Sequence, residues 1–408
     1  MKYVIIGNSA AAIGAVEGIR EVDKTGSIVI ISDEPYHTYS RPLISYYLQG
    51  VTDSERMKYR ETDFYERNGS QTFLGESAVS IDPIKKKVIL KSKKKIVFDK
   101  LLIATGSRAF VPPIEGLDSV KTKFTFMKFD DALKLESVMN ADSRVLIMGA
   151  GLIGLKCAEG IYSKVKSVDI VDLAPRILSS ILDQEAAEIV KNRISDKINF
   201  KLSASVSKFD GNIAYFSDGT IKEFDILIIA VGVRPNIEIF AECDGKTNRG
   251  IVTNNKQETN IKDIYAAGDV CMSYDISCGQ ERILAILPNA YIQGRTSGIN
   301  MAGGEASIND ALPLNALGLF GTHMVTAGSY TGDSYSDNKS GYKKLFVENG
   351  VLKGYIIIDN IDKAGIYTAL IRDKTPLSED DFNLIKVSPS LAAFSDAYRV
   401  RILSGNNK

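Results

Sequence analysis

Two short stretches hold residues whose type and spacing suit nucleotide chemistry. In Gly7-Asn8-Ser9-Ala10-Ala11-Ala12 and in Gly149-Ala150-Gly151-Leu152-Ile153-Gly154, small residues recur at the first, third and sixth places. Backbone built from such residues can approach a pyrophosphate, and the amides of a following helix can donate to it. The second stretch is a full Gly-x-Gly-x-x-Gly; in the first, Ser9 and Ala12 stand in for two glycines. Each is followed by acid at the end of the next strand, where a carboxylate accepts from ribose hydroxyls. Asp33 and Glu34 both qualify in the first unit, and Asp172 in the second. A carboxylate there repels a 2′-phosphate, so Asp172 favours NADH over NADPH, with Arg176 four residues on as a partial offset.

Other residues are placed to assist. Ala104-Thr105-Gly106 follows Phe-Asp and an apolar strand, and Ala230-Val231-Gly232 repeats that pattern, each closing its own nucleotide unit. Asp269, after a buried strand and Gly268, is placed to meet a polyol or phosphate-bound water, or simply to cap a helix. Arg41 opens a helical stretch with Pro42 in its first turn, as a phosphate or ring contact or as a surface arginine. Pro288-Asn289-Ala290 begins another helix, whose dipole can face an electron-rich ring. His37 and His323 are the only imidazoles; Cys157, Cys243, Cys271 and Cys278 form no Cys-x-x-Cys and read as packing residues.

The elements that position these groups follow from apolar periodicity. Lys2–Ile6 and Ser143–Met148 are short β-branched or apolar runs of the kind buried in a parallel sheet. Each leads through its Gly turn into a helix and a second strand, so two strand–turn–helix–strand–acid units stand in one chain. Residues 75–106 read as short strands carrying Lys85, Lys86, Lys87, Lys91, Lys93, Lys94 and Lys95. That run is either a hairpin charged against aggregation or a docking patch for an acidic protein. Pro112-Pro113 marks a domain crossing. Beyond Ala311, strands around 343–347 and 352–358 flank the turn 348–350, and a helix is expected from Ile361 to Arg372.

A chain of 408 residues suits two or three domains, and 44% apolar with 25% charged residues is a globular composition. Lysine plus arginine equals aspartate plus glutamate at 50 each, which argues against a nucleic-acid partner. No apolar run reaches the ~18 residues of a membrane helix. The first strand begins at once, so no leader is expected and the address is cytoplasmic.

Gly7-x-Ser9-x-x-Ala12, Ala104-Thr105-Gly106, Gly149-x-Gly151-x-x-Gly154 and Ala267-Gly268-Asp269-Val270, in that order, resemble the pyridine nucleotide–disulfide oxidoreductase superfamily. Tyr39-Ser40-Arg41-Pro42-Leu43-Ile44-Ser45 and Leu287-Pro288-Asn289-Ala290 look like the NADH:rubredoxin reductases, and the flavin-binding part of assimilatory nitrite reductase is similar. The resemblance implies an α/β fold with two Rossmann-like domains and a small α+β C-terminal domain. It divides the chain into an FAD domain (1–111 and 236–310), an NAD(H) domain (112–235) and a C-terminal domain (311–408). FAD would be held by Gly7, Asn8, Ser9, Ala12, Asp33 or Glu34, Arg41, Val79, Ala104, Thr105, Gly106, Gly268, Asp269 and Asn289. Val79 would meet adenine through its backbone. NADH would be held by Gly149, Gly151, Ile153, Gly154, Asp172, Arg176 and Gly232. Lys156 departs from the pattern, since many relatives carry an acid there near the nicotinamide. No cysteine stands near the Arg41–Ser45 segment, so flavin N5 is expected to carry the chemistry without a protein catalytic residue. Electrons would leave singly to a rubredoxin-like carrier; feeding nitrite or oxygen reduction, or redox sensing, are the rival readings.

Overall fold

The computed structural model describes residues 1–394, 399, 400 and 404. Strand β1 (Lys2–Ile6) leads through the first Gly turn into helix α1 (Ala10–Val22) and strand β2 (Ser27–Ser32), with β3 (Ser70–Leu74) and β4 (Lys100–Ile103) later. Next come β5 (Lys123–Thr125), β6 (Arg144–Met148), helix α2 (Leu152–Ile161), β7 (Ser167–Val171), β8 (Asn199–Lys201) and β9 (Ile226–Ile229). The chain then supplies β10 (Ile264–Ala266) and helix α3 (Leu287–Met301).

These strands form two parallel sheets, in the orders β10-β4-β1-β2-β3 and β8-β7-β6-β9-β5. Read from the Gly-turn strand outward, the two share one plan: the acid-bearing strand on one side, the Ala-x-Gly strand on the other. In the first sheet Tyr3, Ile5, Ile28, Ile30 and Leu102 face α1 and α3. Val4, Ile6, Val29, Ile31, Leu101 and Ile103 face the opposite side. Burial on both faces explains why these strands are continuous apolar runs.

That opposite side is covered by an antiparallel meander of Ala78–Asp82, Lys87–Leu90 and Lys95–Val97, whose Ile81, Val88, Leu90 and Ile96 point inward. Two further short strands, Ser107–Ala109 and Val233–Pro235, pair antiparallel and place Thr105 beside Asn236. The Thr105 hydroxyl donates to the Asn236 carbonyl, and the Asn236 amide group donates back to the Thr105 carbonyl, each at 2.8 Å.

The chain groups into two compact units. One, made of Met1–Ser180, Lys191–Ser273 and Arg282–Asn309, contains both parallel sheets. The other combines Ile181–Val190 and Tyr274–Glu281 with the chain from Asp310 on. Its sheet is antiparallel, built from β11 (Leu314–Leu319), β12 (Thr322–Gly328), β13 (Asp333–Asp337), β14 (Tyr342–Glu348) and β15 (Val351–Ile358) in the order β11-β12-β15-β14-β13. Helix α4 (Ala364–Arg372) packs on it, and α5 (Glu379–Val387) starts at a Ser378–Asp381 capping box. The Lys344 ammonium meets Asp183 at 2.6 Å and the Tyr342 hydroxyl donates to Glu185, so the segment 181–190 belongs with this sheet. Among the described residues no helix is long and apolar enough to cross a membrane.

Candidate functional site

A cleft opens at the carboxyl ends of β10, β4, β1 and β2, the place where open parallel sheets bind ligands. Its lining runs from Gly7 to Ala11, through Asp33 and Glu34, Tyr36, His37, Tyr39 and Arg41, to Glu76, Ser77 and Ala78. Ala104, Thr105 and Gly106 line it too, with Met127, Asn236, Gly268, Asp269, Leu287 and Ala290.

Gly7 turns with φ +126°, and a Cβ there would lie 2.1 Å from the Ala104 carbonyl oxygen. Only glycine fits, so backbone alone forms the floor. Helix α1 begins at Ser9 with no side-chain cap and no acid in its first turn. Its leading amides and positive dipole end are therefore left for an anion. Two polar atoms of lining residues, His37 Nε2 and Ser107 Oγ, are buried without a hydrogen-bond partner among the described residues. Burial raises the Asp269 carboxyl above its ordinary range, with the Arg41 charge acting the other way. An anion cradle, orphaned polar atoms and an acid ready to accept from a hydroxyl together fit a dinucleotide such as FAD.

The two acids after β2 differ. Glu34 is buried; it accepts from the Tyr39 hydroxyl at 2.6 Å and pairs with Arg41, which also donates to the Met127 carbonyl at 3.0 Å. Asp33 is exposed and meets the Lys128 ammonium at 2.5 Å. Tyr39 in turn accepts from the Phe129 amide at 3.0 Å, and burial holds its hydroxyl protonated. Thus the segment 127–131 is fastened to the cleft wall by groups on both sides.

In the second unit Gly149 turns with φ +110°, and its Cβ would lie 2.2 Å from the Ala230 carbonyl oxygen. A Cβ on Gly154 would lie 2.0 Å from the Gly149 carbonyl oxygen, so Gly149 and Gly154 are sterically required, whereas a Cβ on Gly151 would meet nothing within 4 Å and its place at the helix start is open to a ligand. Gly151 caps α2 with no side-chain bond, and Ile153 sits in the first turn, which holds no acid. The Asp172 carboxylate accepts from the Ala150 amide at 2.6 Å and the Ala174 amide at 2.7 Å, which draws it over the Gly turn. Arg176 donates to the Ser179 carbonyl at 3.2 Å, and Gly232 turns with φ +113°.

Some sequence-derived positions fall beside the first cleft rather than on its wall. Ala12 is fully buried behind the turn. Val79 follows the lining segment 76–78 with its side chain 47% exposed. Asn289 lies between Leu287 and Ala290, which do line the cleft. Sequence reasoning missed Tyr36, Tyr39, His37, Met127 and Asn236; for Tyr39 the signal was its place two residues before Arg41. Lys156 pairs with Glu159 and stands 4.1 Å over the Tyr46 ring. Among the described residues no cysteine lines the cleft. Burial pushes the Cys271 thiol up to about 12, and Cys157 is raised as well.

Comparison with known proteins agrees with this geometry. The chain is 29% identical over 392 residues to the NADH-dependent phenylglyoxylate dehydrogenase subunit epsilon of Aromatoleum evansii, covering 92% of this chain and 93% of that one. It is 30% identical to the NADH-rubredoxin oxidoreductase of Clostridium acetobutylicum, covering 80% and 81%. With the assimilatory nitrate reductase electron transfer subunit of Bacillus subtilis it shares 28% identity, over 91% of this chain but 49% of that relative. The chain thus spans about half the length of some curated relatives. Among solved structures, the covalent putidaredoxin reductase–putidaredoxin complex matches with a TM-score of 0.87 at 20% identity, covering 100% of this chain and 99% of that one. The C. acetobutylicum NADH:rubredoxin oxidoreductase structure matches with a TM-score of 0.75 at 24% identity, covering 96% and 98%. Residues 1–294 match the family profile described as pyridine nucleotide-disulphide oxidoreductase. With two dinucleotide folds of one plan and a cradle suited to FAD, the chain belongs to the pyridine nucleotide-disulphide oxidoreductase family, and it is an FAD- and NADH-using flavoprotein oxidoreductase.

Proposed function

We propose that this protein takes electrons from NADH and passes them to a small one-electron carrier protein of the rubredoxin type. The observation that carries the reading is a dinucleotide cleft whose lining includes no cysteine, which suits a reductase with no thiol relay. Bound FAD supplies hydride acceptance at N5 and stepwise electron release. The chain's own residues bind and orient. Gly7 and the leading amides of α1 take the pyrophosphate, and Asp269 accepts from a hydroxyl of the ribityl chain. Asp33 takes the adenosine ribose, because both oxygens of Glu34 already have protein donors. Arg41, fixed by Glu34 and Met127, sets a positive charge on the cleft wall. In the second unit Gly149, Gly151 and Gly154 make room for the NADH pyrophosphate, and the amides on Asp172 orient it toward the ribose.

We further propose the division into FAD (1–111, 236–310), NADH (112–235) and C-terminal (311–408) domains. The 30% identical NADH-rubredoxin oxidoreductase supports the choice of carrier. A second reading, an NADH-oxidising subunit of a larger redox enzyme, is favoured by the match along nearly all of subunit epsilon. Anaerobic turnover with NADH and rubredoxin, ferredoxin or nitrite, beside aerobic oxygen consumption, separates them. Rubredoxin should be reduced fastest. Slow turnover with every acceptor would overturn the carrier reading and favour the subunit.

A further inference from the structure

The basic meander has a role that the nucleotide chemistry does not use. Its inner face is committed to the core through Ile81, Val88, Leu90 and Ile96. Of its seven lysines, Lys86 pairs with Asp263 at 2.6 Å, Lys94 lies 4.2 Å over the Phe73 ring, and Lys85 is 3.8 Å from Asp82. Lys87, Lys91, Lys93 and Lys95 have no ion pair among the described residues. Protection of the edge strand explains Lys95 alone, because the others lie off that strand.

Two further observations separate this surface from ordinary solvated charge. Both hairpin turns place a lysine in the left-handed region, Lys86 at φ +48° and Lys93 at φ +68°. Glycine or asparagine would adopt that conformation at lower cost, so local structure does not select lysine there. In addition, the first hairpin carries Ile84 at its tip, 93% exposed and followed by Lys85, Lys86 and Lys87, with the exposed Val97 paired to Lys87, while Lys91, Lys93 and Lys95 lie toward the other end of the central strand. An exposed apolar side chain at one end of a face whose unpaired lysines run to the other end has the make-up of an interface anchor beside a charged rim.

We propose that the outer face of this meander is a docking surface for a protein partner whose contact patch has an apolar recess that receives Ile84 at one end and carboxylates that meet Lys87, Lys91, Lys93 and Lys95 along the rest. Opposite charge steers the encounter, and Ile84 supplies the buried contact. A nucleic acid fits less well: residues 78–97 include no aromatic side chain and so offer no platform for base stacking.

The test uses the flavin-loaded full chain and three immobilised probes: an acidic peptide of glutamates interrupted by leucines, polyglutamate, and a duplex DNA of about 20 base pairs. A quadruple variant with Lys87, Lys91, Lys93 and Lys95 changed to Gln, and Ile84→Ser, are compared with wild type. Equal flavin content and equal NADH-driven dye reduction certify the fold of each. The glutamate–leucine peptide should bind wild type in a salt-sensitive way and lose about tenfold or more in the quadruple variant. Ile84→Ser should weaken that peptide severalfold while leaving polyglutamate unchanged. Absence of peptide binding, an unchanged quadruple variant, or an Ile84→Ser without effect would each overturn the proposal. Tighter binding of the duplex than of the peptide would assign the face to nucleic acid instead.

Discussion

The two nucleotide units share a plan but differ in how firmly each is built in. Both floors are glycine against carbonyl: Gly7 against Ala104 and Gly149 against Ala230, at 2.1 and 2.2 Å for an added Cβ. Their surroundings diverge. Helix α1 is locked to α3 by glycines on both partners: a Cβ on Gly14 would lie 2.3 Å from the Tyr291 carbonyl oxygen, and one on Gly294 1.9 Å from that of Ala11. Helix α2 has one such approach to a neighbouring helix, Gly160 toward the Ser45 carbonyl at 2.9 Å. The acids differ too. Glu34 is held by side chains from the cleft wall, whereas Asp172 is held by backbone amides, Ala150 of the Gly turn and Ala174 of its own. The tighter packing of the first unit suits the permanent FAD housing proposed for it, and the looser packing of the second suits the proposed exchange of NADH. The difference lies in the packing around the motif, since the motif is nearly the same.

The largest expected effect breaks the comparison at its floor. Gly7→Ala forces a Cβ into the Ala104 carbonyl and a left-handed φ on alanine, together on the order of 4 kcal/mol. Flavin absorbance per protein should fall close to zero. Gly149→Ala meets the same steric conflict in the other unit, yet it should keep its flavin and lose NADH-driven reduction. If both variants lose flavin equally, the two floors do not serve separate ligands.

A smaller effect sharpens the second site. Asp172→Ala removes a charged acceptor from the proposed ribose contact, at a cost of about 1–3 kcal/mol. The Michaelis constant for NADH should rise by about fivefold to a hundredfold, and that for NADPH should fall, as the 2′-phosphate loses its repulsion. A wild type that already prefers NADPH would contradict this assignment of Asp172.

The motifs were legible in the sequence because their causes are local. A turn that only glycine can make, an apolar strand before it and an acid after the next strand are all set within about thirty residues. The rest of the cleft depends on contacts between distant segments. Tyr39 reaches Phe129 across ninety positions, and Asn236 reaches Thr105 across 131. Nothing in either local sequence states the partner. Helix phase explains Asn289: its neighbours Leu287 and Ala290 turn to the cleft, and the residue between them does not line it. The C-terminal sheet was half legible. The hairpin of β14 and β15 announced itself through Asn349-Gly350, whereas β11, β12 and β13 lack such a turn signal and were not read.

Asp269 tests the housing from the side of stability. Burial raises its pKa in the folded apoprotein above the ordinary 3.8. The unfolded chain therefore binds fewer protons between those two values, and apoprotein stability falls as pH rises through the window. The penalty persists at neutral pH and disappears below the unfolded value. Asp269→Asn should accordingly raise the apoprotein melting temperature at pH 7 but not near pH 3, while weakening FAD binding. Thermal scans with and without added FAD would read both effects; a variant less stable at pH 7 without FAD would remove Asp269 from this role.

The smallest effect concerns the thiols, and it asks whether either unit needs one. Cys157 lies buried in α2 and Cys271 in the core under the first sheet, both with thiols raised by burial and so poor nucleophiles at neutral pH. Cys243 is also raised by partial burial, and its thiol donates to backbone carbonyls of its own helical turn. A variant with all four cysteines changed to Ala or Ser should lose about 1 kcal/mol for each fully buried thiol, through packing alone. Once loaded with flavin it should reduce its carrier at close to the wild-type rate. Anaerobic titration of wild type should end at one equivalent of NADH per flavin, because no disulfide is present to take a second. An end point at two equivalents, or a folded and flavin-loaded variant without turnover, would show that a thiol takes part and that the first unit houses more than a cofactor.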